Sequence, residues 1–230
     1  MSFESPKFEA TPENQEHKAK EEHLESIRAD IEQIVDAEGK PIDEGIKESV
    51  IAFNALEIPT TQSCEGHAEE HEGRPLPWVR VGAEGEPEEK FVGQKEAFEK
   101  AAKEHNVPLE ELKRAMPEDL YWDVMKGVSQ NEGTPEYKGW EQKNNVLYEK
   151  VRGLLEEFYK DQETDPDVRL ESDESNGREF EIHSHEEKMK DLIFNEMSPE
   201  EREQIAKKLP QRQAEMKAFT QFLKEKYFSE

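Results

Sequence analysis

The chain has 230 residues and one cysteine, and its 56 acidic side chains against 31 basic ones leave a formal charge of -25. A field of that sign repels phosphate backbones and anionic headgroups, so neither a nucleic acid nor a membrane is an expected partner. The single thiol excludes an intramolecular disulfide. With an acidic N-terminus that lacks the basic start and apolar stretch of a secretory signal, it points to a cytoplasmic protein.

Residues 1–20 carry two prolines, many charges and little apolar period, and read as a mobile acidic leader. That leaves 21–230 as a single domain. Leu24, Ile27, Ile31, Ile34 and Val35 fall on one helical stripe that Gly39 to Pro41 stops. Ile42, Ile46, Val50, Phe53 and Leu56 repeat the spacing in a second helix ended by Pro59. The β-branched IPTTQSC and the PWVRV after Leu76 predict a β-hairpin with a long connection, EGHAEEHEGRPLP. Long ordered loops often carry function.

Helices are expected next. One stripe holds Phe91, Phe98, Ala101 and Ala102, and another Leu109, Leu112 and Met116. Glu118 to Val128 reads as a short helix, and Trp140, Leu147, Val151, Leu154, Leu155 and Phe158 as a long amphipathic one. Trp78, Trp122 and Trp140 sit at core spacings and are assigned to packing. DVRLESD, ESNG and REFEIHSH spell a second hairpin, with Val168 and Leu170 on one face across from Phe180 and Ile182. Three helices close the chain after this hairpin, and Ser198-Pro199-Glu200-Glu201 is a capping box with proline at the first helical position. The expected fold class is α+β: a small, mostly antiparallel sheet built from two β-hairpins and covered by several helices.

Chemistry concentrates at T-T-Q-S-C-E-G-H, residues Thr60 to His67, where a polar strand delivers a thiol, a carboxylate and an imidazole within four residues. The glycine beside them permits a tight turn or close approach of a ligand. Strand alternation puts Thr60, Gln62 and Cys64 on one face and Thr61, Ser63 and Glu65 on the other. Cys64, His67 and His71 form Cys-x2-His-x3-His, soft and borderline donors that suit zinc, with Glu65 as a general base or further ligand. His67 to His71 also spells H-x-x-E-H, the inverted zinc-protease string, which arises easily by chance where glutamate is so abundant.

A second chemistry makes Cys64 a nucleophile with His67 or a distant histidine as its base, although Glu65, Glu69, Glu70 and Glu72 surround it with like charge. The catalytic candidates are thus Cys64, Glu65 and His67, the metal candidates Cys64, His67 and His71, and Thr61, Ser63 and Gly66 are expected to line a bound ligand. His183 and His185 on the outward face of the second hairpin would add ligands if the two hairpins share a sheet. The plain alternative makes Cys64 a small buried hydrophobe at a strand end and the histidines decoration on a solvated loop.

N-A-L-x-I-x-T-x-x-S-C-E-G-H followed by P-W-V-x-V resembles a group of uncharacterised bacterial proteins with an S-C-x-G-H signature after a helix. EMKAFTQFLKEKYF is similar to the same group's C-terminal helix. No activity comes with that resemblance. T-T-Q-S-C-E-G-H more distantly resembles the T-T-S-S-C-S-G-R segment of a tRNA wybutosine-pathway methyltransferase family, which implies S-adenosylmethionine and tRNA. Thr60, Thr61, Ser63, Cys64 and Gly66 match that segment. His67 stands where the family has an arginine, so a cation suited to phosphate is gone, and only an α-β-β arrangement is carried over.

Three functional readings follow. The leading one is a small-ligand or metal site at the SCEGH segment, enzymatic or not, with zinc as the cofactor it suits. The second is a non-catalytic acidic protein that binds a basic protein partner or imitates a nucleic acid. The third is a nucleic-acid-modifying enzyme, which would need a basic patch that the interspersed charges do not offer.

Overall fold

The computed structural model describes residues 12–36, 38–67, 75–109, 112, 117–184 and 198–229. In chain order these form α1 (Pro12–Ile31), α2 (Glu44–Ala55), β1 (Thr60–Cys64), β2 (Trp78–Val81) and α3 (Gln94–His105). There follow α4 (Glu118–Val128), α5 (Pro135–Phe158), β3 (Leu170–Ser172), β4 (Phe180–Ser184) and α6 (Pro199–Ser229). The strands make one antiparallel sheet in the order β1-β2-β4-β3. The two expected hairpins are therefore joined edge to edge through β2 and β4, and the class is α+β.

The chain divides into two compact units, one of residues 1–82, 147–174 and 179–230 and the other of 83–146 and 175–178. The first holds the sheet, α1, α2, α6 and α5 from Leu147 onward. Strand alternation turns Val79, Val81, Leu170, Phe180 and Ile182 to one face. They pack there with Ile46, Phe53 and Ile58, with Val151 and Leu155 from α5, and with Met216, Phe219 and Leu223 from α6. Each fully buried side chain of this size stabilises the fold by about 1.5–3 kcal/mol.

The opposite face carries Trp78, Arg80, Glu171, Glu181 and His183 in register. Arg80 there bonds Glu181 at 2.5 Å and Gln62 at 2.7 Å.

The end of α2 aims the next strand back along the helix. Glu57 takes a left-handed backbone (φ 56°), and the Ile58 N–H donates to Phe53 O at 3.0 Å. This bond reaches back five residues, as in the Schellman closure that commonly ends helices. Asn54 at the end of α2 donates to Thr60 Oγ1 at 2.9 Å, while the Gly45 N–H at its start donates to Glu65 Oε2 at 2.6 Å. Helix and strand thus run antiparallel.

Several expectations are corrected. Thr60 pairs with Val81 but Gln62 with Arg80, so a bulge at Thr61 removes Thr60 from the face shared by Gln62 and Cys64. α1 extends into the supposed leader: His17 stacks on Phe228 at 4.9 Å, and Tyr227 donates to Lys20 O. That helix also stops at Ile31, and Asp36 accepts the N–H groups of Glu38 and Lys40 in the turn beyond, leaving Ile34 and Val35 exposed. Residues 199–229 form one helix through Pro210 rather than several.

β3 is shorter than expected because Asp165-Pro166 makes a turn, with the Val168 N–H on Asp165 O.

In the second unit, Phe98, Met125 and Val128 pack together, as do Ala101, Ala102 and Leu112. The Thr134 hydroxyl accepts the Tyr137 N–H at the start of α5, and Pro135 fills the first helical position. Trp140 is buried and donates to Ala83 O at 2.7 Å, whereas Trp122 is 58% exposed against Tyr121, contrary to its expected place in the core. Among the described residues no helix is long and apolar enough to cross a membrane.

Candidate metal centre

Three side chains of different chemistry converge where β1 ends and α2 begins. The ligand atoms of Asp43, Cys64 and His67 lie within 4.8 Å of one another. Asp43 occupies the N-cap position of α2, yet its carboxylate makes no cap hydrogen bond to its own helix. It instead accepts the Glu65 N–H on Oδ2 at 3.2 Å and stands 3.4 Å from His67 Nε2.

Glu65 reciprocates. Its carboxylate takes the Gly45 N–H at 2.6 Å, which is the capping bond that Asp43 does not make. A Cβ at Gly45 would lie 2.5 Å from that oxygen, so the glycine is what lets the carboxylate approach. The carboxylate expected to act as general base or ligand therefore holds an orphan helix donor.

Gly66 supplies the turn between Glu65 and His67. It sits at φ 84°, and a Cβ there would meet the Leu76 carbonyl carbon at 2.6 Å and Leu209 at 2.9 Å. Its N–H donates to Cys64 Sγ at 3.4 Å. Cys64 itself is half-buried and pairs with Trp78. The side chains of His67 and Asp43 are 24% and 35% exposed.

Of the other sequence candidates, Ser63 pairs with Val79 on the sheet face away from Cys64, and Thr61 is exposed at the bulge. His71, His185 and the acidic residues Glu69, Glu70 and Glu72 lie outside the described residues. The two hairpins do share a sheet, but Trp78 stands between Cys64 and His183 in the same register row. His183 is 2% exposed and places Nδ1 2.8 Å from Ser184 O and Nε2 3.4 Å from Asp173. It is not part of the cluster.

Asp43 and Gln213 escaped the sequence reading. Gln213 Nε2 donates to Glu65 O at 3.0 Å from a point 148 residues away. Asp43 did leave a signal in element lengths: a 12-residue helix is about 18 Å long and a five-residue strand about 17 Å. A tight return between them brings the start of α2 beside the end of β1.

No protein-family model matches the chain, and neither a curated protein nor a solved structure matches it.

Proposed function

We propose that the protein binds one zinc ion through Asp43, Cys64 and His67, with a coordination position left for water or a small-molecule ligand. The observation that carries this reading is the convergence of a thiol, an imidazole and a carboxylate within 4.8 Å. Zinc takes all three donor types, and three protein ligands plus an open position is the pattern of catalytic rather than structural sites. Metal centres of that kind activate a bound water or polarise a carbonyl, which makes a hydrolytic reaction the favoured chemistry. The backbone support of the donors by Glu65, Gly66 and Gln213 favours the same reading, because precise sites need fixed ligands. The charge of -25 disfavours phosphate-rich substrates, so the tRNA chemistry of the resembled methyltransferase segment is not carried over.

The test is the metal content of tag-free protein purified without chelator. We expect about one zinc per chain, falling to background in Asp43→Asn, Cys64→Ser and His67→Ala while each variant keeps its far-ultraviolet circular dichroism. Wild-type protein that stays metal-free after dialysis against zinc would overturn the reading. Rapid alkylation of Cys64, lost in His67→Ala, would then assign the thiol as a nucleophile served by the His67–Asp43 contact at 3.4 Å.

A further inference from the structure

We infer that Gln213 on α6 is the positioning residue of this metal centre, acting on the Cys64 sulfur through the peptide that joins Glu65 to Gly66. The inference rests on the zinc reading above. Gln213 Nε2 lies 3.0 Å from Glu65 O and 3.5 Å from Gly66 O, so one side-chain amide grips two successive carbonyls between the ligands Cys64 and His67.

The Glu65 carbonyl and the Gly66 N–H belong to the same planar trans peptide unit, and they point to opposite sides of it. A donor that holds the oxygen therefore fixes the direction of the N–H, and that N–H is the one directed at Cys64 Sγ at 3.4 Å. Hydrogen bonding at the oxygen also polarises the amide and strengthens its N–H as a donor. An N–H aimed at sulfur stabilises a metal-bound thiolate and orients it. The second carbonyl, Gly66 O, opens the peptide that leads into His67, so the same grip sets the backbone approach of the imidazole.

The neighbours of Gln213 on α6 hold it in place. Buried Arg212 donates to Asp167 O at 3.2 Å and to Pro75 O at 3.5 Å, and Leu209, one turn earlier, lies against Gly66. α6 thus fixes the metal loop from the far end of the chain.

The experiment titrates the full-length, metal-free chain with cobalt(II), whose thiolate charge-transfer absorption reports the sulfur directly. Gln213→Met keeps the length and apolar stem of the side chain and removes the donor. It is expected to bind cobalt about 10–100-fold more weakly, with a displaced charge-transfer band and an unfolding midpoint close to wild type. Gln213→Glu, which sets acceptors against both carbonyls, should be weaker still.

Wild-type affinity and an unmoved band in Gln213→Met would overturn the inference while leaving the zinc reading intact. Unfolding of both metal-free variants would make Gln213 a packing residue and overturn it as well. Failure of the wild-type chain to bind cobalt would overturn both.

Discussion

At Gly66 the left-handed backbone and the 2.6 Å approach of the Leu76 carbonyl carbon both exclude a side chain. Forcing a non-glycine residue into that conformation costs on the order of 1–3 kcal/mol before any clash is counted. Gly66→Ala should therefore lower the urea midpoint at unchanged slope. An unshifted midpoint would show that the loop relaxes freely. Cys64 and His67, the two sequence candidates that converge with Asp43, were legible because one short segment carries both a thiol and an imidazole beside a glycine. Asp43 was not, since an aspartate before an apolar helical stripe reads as a helix start. Glu65 was legible as important but not in its role, because nothing in a linear reading shows that its carboxylate lands on the Gly45 N–H.

Three helices meet at one carboxylate. Glu48 of α2 is bonded by Arg28 of α1 and, at 2.5 Å, by Lys224 of α6. The Arg28 hydrogen bond, reinforced by Lys224, holds it well below the usual carboxylate range, at about 2 against 4.5. A depressed folded-state value contributes stability that is present above pH 4.5 and lost as pH falls toward 2. The thermal midpoint of wild type should thus exceed that of Glu48→Gln at neutral pH, and the gap should close on acidification through that window. A gap as wide at pH 2 as at neutral pH would show that the Glu48 charge does not contribute this stability.

Element by element, the apolar spacing placed α2 and α4 and the four strands within a few residues. It misjudged α1 because the contacts of His17 and Lys20 with the last helical turn are long-range. It expected more than one helix where residues 199–229 form a single one; Pro210 inside that helix is a local penalty, outweighed here by Met216, Phe219 and Leu223, which pack into the core.

For the whole molecule, the charge of -25 is the dominant long-range term. Self-repulsion at low ionic strength destabilises a compact chain, and at 0.15 M salt the screening length is only about 8 Å. Raising sodium chloride from a few millimolar to that level should therefore raise the thermal midpoint. A falling midpoint would mean that attractive ion pairs such as Arg28–Glu48 outweigh the net repulsion. The same field is what a basic protein partner would recognise. A salt-sensitive partner retained equally by wild type and Cys64→Ser would restore the interaction reading beside the metal one.

The separation of 148 positions between Glu65 and Gln213 also sets an order of events during biosynthesis. At a translation rate of about 5–20 residues per second, the gap lasts roughly 7–30 s. Asp43, Cys64 and His67 leave the ribosome together and early, followed by β2, whose partner β4 is still unmade. A nascent chain thus presents its three donor side chains before the amide that steadies them exists, and only the arrival of α6 completes the grip. If the centre takes an ion, its capture and its precise seating would be separate steps, the first open to Asp43, Cys64 and His67 and the second waiting on the synthesis of Gln213.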